Sequence, residues 1–66
     1  MAPRIRPTVD RILADMGTTS AIFIADHLDA GWSYEDIAAG LQEFTDGKVQ
    51  VHSATIRRWA KDDDDA

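Results

Sequence analysis

Between Lys48 and Lys61 the chain carries four cations and no acid: Lys48, Arg57, Arg58 and Lys61. Arg57, Arg58 and Lys61 recur at spacings of three and four, which sets them on one side of a helix. Ile56 and Trp59 fall on the other. A helix divided this way anchors itself by its apolar pair and presents its polar side outward. The groups presented are His52, Ser53, Ala54 and Thr55 near its start, then the two guanidinium groups. Such a surface suits a polyanion, because a guanidinium offers parallel N–H donors that match phosphate geometry. Two further cations, Arg4 and Arg6, stand between Pro3 and Pro7.

Other chemistries lack their residues. There is no Cys, so no disulfide and no thiolate metal site. His27 and His52 are far apart in sequence and lack an HExxH or Cys/His setting, so neither a metal nor a cofactor is expected. Asp26/Asp29 and Glu35/Asp36 lie at helical or capping spacing, which a solvated face explains. The glycines are scattered and form no phosphate loop. No catalytic signature is present, and the chain is expected not to be an enzyme.

Sixty-six residues make one small domain. A chain of this size buries only about 60% of its unfolded surface, so its stability is marginal. The apolar share, 44%, is that of a folded chain rather than a disordered one. No apolar run approaches the ~20 residues that span a bilayer, and no signal peptide is evident. A cytoplasmic protein is expected, on the nucleoid when bound to DNA. The net charge of −5 opposes a nucleic-acid partner, but its distribution is segregated. Cations dominate the first fourteen residues and Lys48–Lys61. Acids fill Asp15–Asp46, which has no Lys or Arg, and Asp62–Asp65. Local segregation decides a binding surface more than the total does.

Four short helices would hold these groups, giving an all-α bundle. Residues 1–7 read as a flexible basic arm, because each proline lacks a donor and disfavours helix at the residue before it. Thr8 would cap a first helix carrying Val9, Ile12, Leu13 and Met16, closed by Gly17. Thr18, Thr19 or Ser20 would cap a second, with Ile22, Phe23, Ala25 and Leu28 on one side, Ile24 nearer its edge, and a stop at Gly31. Ala21–Ala25 alone would also suit a strand, but no matching strand candidate stands to pair with it. Ser33 opens a third helix, with Glu35 and Asp36 suited to its positive end and Ile37, Ala38, Leu41 and Phe44 as its stripe. Gly40 would permit close approach of a neighbouring helix. Thr45-Asp46-Gly47 would end the third helix, with Gly47 at the left-handed position, and His52 or Ser53 would cap the fourth, which reaches about Lys61. Residues 8–61 are thus the domain. Residues 62–66 read as a disordered acidic tail, since four adjacent acids oppose the C-terminal dipole.

The last two helices resemble a helix-turn-helix DNA-binding unit. The resemblance is carried by Ser33, Ile37, Ala38 and Leu41 in a supporting helix, and by Val51, Thr55, Ile56, Arg58 and Trp59 in a reading helix. The latter set is similar to the Val-Ser-x-x-Thr-Val-x-Arg-Trp pattern of small bacterial and phage regulators and of transposase or recombinase DNA-binding domains. It covers roughly half the chain. The connection Thr45–Val51 departs from the pattern, being longer than the usual ~3–4 residues. The resemblance implies a sequence-specific double-stranded DNA-binding protein, a small transcriptional regulator or repressor of bacterial or phage origin. It implies base reading by Ser53, Ala54, Arg57 and Arg58, and phosphate contacts by Lys48, His52, Thr55 and Lys61. Arg4 and Arg6 would enter a minor groove. A unit this small implies a homodimer or adjacent bound copies.

Plainer readings stand beside these. Arg57, Arg58 and Lys61 would also complement a helix C-terminus, and Arg4 and Arg6 would also suit a solvated tail. A different class of function is an acidic protein-interaction module, or a DNA mimic, that engages a basic partner protein through the acidic middle or tail.

Overall fold

The computed structural model describes residues 5–65, which form four helices and, among the described residues, no strand. They are α1 (Arg6–Ala14), α2 (Ser20–Asp29), α3 (Tyr34–Phe44) and α4 (Ser53–Asp64). The expected all-α bundle forms, and Ala21–Ala25 is helical. The most extensive pairing is α3 with α4; α2 packs against both, and α1 closes on α2. No helix is long and apolar enough to cross a membrane, among the described residues.

Local chemistry sets most boundaries. Thr19 Oγ1 accepts from the Ile22 amide at 3.2 Å and starts α2. Ser33 Oγ accepts from the Asp36 amide at 3.1 Å and starts α3. After α3 the backbone enters the left-handed region twice, at Asp46 (φ 55°) and Gly47 (φ 81°). The Gly47 amide then reaches back to the Gln42 carbonyl at 2.7 Å. This turns the chain sharply into the connection that leads to α4.

Two boundaries differ from the sequence expectation. α1 starts at Arg6, not after Thr8, with Pro7 in its first turn, where a missing amide costs nothing. The Ile5 carbonyl takes the Val9 amide at 3.0 Å. Residues 6 and 7 therefore belong to a helix rather than to an arm, and Arg4 lies outside the described residues. At the other end, α4 continues through Asp62 and Asp63 to Asp64, where a disordered tail was expected.

The core comprises Val9, Leu13, Phe23, Ile24, Ile37, Leu41, Val49, Ile56 and Trp59. The register of α2 departs from expectation: Ile24 is 2% exposed and Ile22 52%. Helix α2 serves two neighbours, and Ile24 faces Ala60 of α4 across a shared groove. Met16, Leu28 and Phe44, expected inside, are exposed, and Trp32 is exposed as well. Val49, not expected inside, is buried, because the connection folds inward there.

Thr45 holds that inward fold. It is 2% exposed. Its hydroxyl donates to the Leu41 carbonyl at 2.8 Å and accepts from the Val49 amide at 3.0 Å. Thr45→Val keeps the shape and leaves the buried Val49 amide unpaired, which is expected to cost about 1–3 kcal/mol. Urea unfolding should show a lower midpoint with an unchanged slope. Thr45→Ser keeps both bonds and should lose much less; equal losses in the two variants would rule out the hydroxyl as the cause.

Candidate nucleic-acid interface

Helix α4 is split as its spacing requires. Ile56 is fully buried and Trp59 nearly so, while Ala54, Arg57, Arg58 and Lys61 are all exposed. These four follow one another at intervals of three, one and three, a single outward stripe. Ser53 and Thr55 are half-buried on its shoulders. His52 is the N-cap residue and is exposed, but no side chain closes this helix start. The first-turn amides of α4 thus lack the side-chain acceptor that Thr19 gives α2 and Ser33 gives α3. An open helix start of this kind favours anions.

The start of α3 lies against the start of α4. Ser33, Tyr34 and Glu35 share a shallow depression with Ser53, Ala54 and Arg57. A second depression joins Tyr34, Arg57 and Lys61 to Leu28 and Asp64. Tyr34 therefore stands beside the cationic stripe. Its position directly after the Ser33 cap was the available signal.

The predicted site residues do not form one patch. Lys48 lines a separate groove with Ile5, Thr8 and Ile12 of the α1 side. Arg6 lies at the far end of α4 and is fully engaged. Its Nη2 donates to both carboxylate oxygens of Asp63 at 2.8 Å. Its Nε donates to Ser20 Oγ at 2.9 Å. Its guanidinium carbon lies 5.3 Å from the centroid of the Trp59 ring. The expected minor-groove role of Arg6 is thereby replaced by a structural one. A cation at the start of α1 and an acid at the end of α4 each oppose their helix dipole; paired, they offset one another. The pair is partly exposed, so it contributes about 0.2–1 kcal/mol. It also gives the reason α4 extends through Asp63. Asp10, part of the same cluster, accepts from the Ser20 amide at 2.8 Å and so holds the start of α2 to α1.

Arg6–Asp63 is the only ion pair among the described residues. Arg57, Arg58 and Lys61 thus have no described carboxylate within pairing distance. The stripe does end abruptly: Asp62 and Asp65 follow Arg58 and Lys61 by four residues each. The first half of α4 carries no acid of its own, with Glu35 of α3 bordering it. Among the described residues no group of His, Asp and Glu is placed to hold a metal.

The connection Thr45–His52 is longer than that of the common two-helix unit, whereas Ala30–Ser33, between α2 and α3, is short. Length alone would make α3 the reading helix. Its first turn, however, carries Glu35 and Asp36, which repel phosphate. Compared with protein-family models, curated proteins and solved structures, the chain matches none.

Proposed function

We propose that this protein binds double-stranded DNA sequence-specifically, inserting the first half of α4 into the major groove. The observation that carries this reading is the split of α4. Its buried Ile56 and Trp59 fix the helix to the core, and its exposed Ala54, Arg57, Arg58 and Lys61 stripe begins at an open helix start. Recognition helices enter the groove with their N-terminal residues at the base edges. Ser53, Ala54 and Arg57 would take that role, with Arg58 on the adjoining shoulder. A bidentate arginine–guanine pair gives about 1–3 kcal/mol of discrimination. Lys61, His52, Thr55 and the Tyr34 hydroxyl would take phosphates along the rims, with Lys48 reaching backbone further away.

A protein that represses by occupying its site needs little beyond such a surface, so a small repressor of bacterial or phage type is the role assigned. One copy contacts few base pairs, and a dimer or adjacent copies would supply the remaining affinity. Selection from a randomised duplex pool tests the reading. A reproducible enriched motif is expected; a pool that stays random at low salt would sink it.

The acidic last turn of α4 makes a further expectation. Asp62, Asp64 and Asp65 lie where phosphates would pass, and their charge should weaken non-specific binding. The combined variant Asp62→Asn/Asp64→Asn/Asp65→Asn leaves Asp63 with Arg6. It should bind random duplex several-fold tighter at low salt, with less preference for the selected site. Unchanged affinity for random duplex, measured by fluorescence anisotropy, would contradict this.

A further inference from the structure

Helices α2 and α3 carry a second surface. Helix α2 turns Ile24 and Leu28 toward α4. On its other side, Phe23 stacks on His27 with ring centroids 4.1 Å apart. Phe23 also meets Phe44 of α3 at 5.4 Å. His27 meets Trp32 edge-on at 4.6 Å. The His27 Nδ1–H donates to the Phe23 carbonyl at 2.7 Å, because a carbonyl only accepts, and this fixes the ring in the row. Trp32 lies directly on Gly40, where a Cβ would sit 3.0 Å from Cζ3 of its ring. Gly40 thus admits an indole where a neighbouring helix was expected.

The result is a continuous aromatic row, Phe44–Phe23–His27–Trp32, whose two ends are open: Phe44 is 43% exposed and Trp32 42%. A domain this short of core gains by burying such rings, yet leaves them in solvent. The rim is acidic. Asp26 follows Phe23 by three residues, Glu43 follows Gly40 by three, and Asp36 precedes Gly40 by four; all are exposed. No Lys or Arg occurs from Asp15 to Asp46. Electron-rich ring faces bordered by carboxylates complement one chemistry, a cationic side chain with an apolar neighbour.

We propose that this face docks an arginine- or lysine-bearing, partly apolar segment of another protein. The carboxylate rim repels nucleic acid. It also disfavours a second copy of this chain, whose exposed α4 cations are followed immediately by Asp62–Asp65. The surface is distinct from the α4 stripe, so the proposal stands or falls apart from the DNA reading.

The probe is a short amidated peptide of alternating Arg and Leu, titrated into the isotope-labelled full chain. Arg/Ser and Glu/Leu peptides of equal length serve as comparisons. The expected result is saturable binding of Arg/Leu alone, with shifts centred on the Trp32 indole N–H, His27 and Phe44. Gly40→Ala favours helix, so the fold survives while the Trp32 ring gives way by a few tenths of an ångström. Asp26→Lys/Glu43→Lys reverses two rim charges on exposed positions. The charge reversal should weaken the peptide by about fivefold or more, and Gly40→Ala by less. Four results would overturn the proposal: no saturable binding, equal binding of Arg/Ser, shifts centred on Asp62–Asp65, or self-association that Gly40→Ala abolishes. The last would assign the face to a second copy.

Discussion

Ile56→Ala is expected to destabilise the fold by about 2–5 kcal/mol. That is comparable with the whole stability of a 66-residue domain, and the variant should be largely unfolded at ambient temperature. Ile56 is fully buried on the inner side of α4, the helix that packs against both α2 and α3. Truncation leaves a void where three helices meet, and close-packed neighbours relax only partly into it. Helical circular dichroism under urea would show the loss. A variant within about 0.5 kcal/mol of the parent would mean that α4 is not docked through this residue.

Arg57→Ala/Arg58→Ala is expected to do the reverse, leaving stability within about 0.5 kcal/mol and removing recognition. Both side chains are exposed, and neither holds a described carboxylate, so the fold loses little. Affinity for the selected duplex should fall about a hundredfold, from ~1.4 kcal/mol per arginine. The parent's binding should weaken steeply as salt is raised, because each phosphate contact releases condensed counterions. Parallel measurement of unfolding and of duplex anisotropy separates the docking of α4 from its proposed DNA contact. Equal affinity of parent and double variant would remove these arginines from the interface.

The contrast between the two variants bears on what the charge pattern means. The cations that flank the acidic middle are not equivalent. Arg6 is engaged by Asp63, Ser20 and the Trp59 ring. Lys48 borders α1. Only Arg57, Arg58 and Lys61 share an open stripe. Of the acids of α2 and α3, Asp26, Asp36 and Glu43 follow the aromatic row, while Glu35 lies beside Ala54 and Arg57.

Helix starts were legible because their signals are local. Ser33 and Thr19 bond amides three residues on, and Gly47 takes a backbone conformation that side chains disfavour. The division of α4 into Ile56/Trp59 and Arg57/Arg58/Lys61 followed from spacing alone. The start of α1 and the end of α4 were not legible, because Arg6 and Asp63 meet only after the chain has folded back on itself. The register of α2 failed for a related reason. Three consecutive large apolar residues, Ile22, Phe23 and Ile24, give periodicity nothing to choose by, and the positions of α3 and α4 decide. Val49 was hidden in a loop, and its burial depends on the Thr45 hydroxyl.

The most direct test of the central claim is titration of the selected duplex into isotope-labelled protein, followed by NMR at each backbone amide and arginine Nε. The predicted result is saturable binding with the largest changes from His52 to Arg58 and at Tyr34, and small changes at Trp32 and Phe44. Changes centred on α1 or on the α2–α3 aromatic row, or no saturation at low salt, would contradict it.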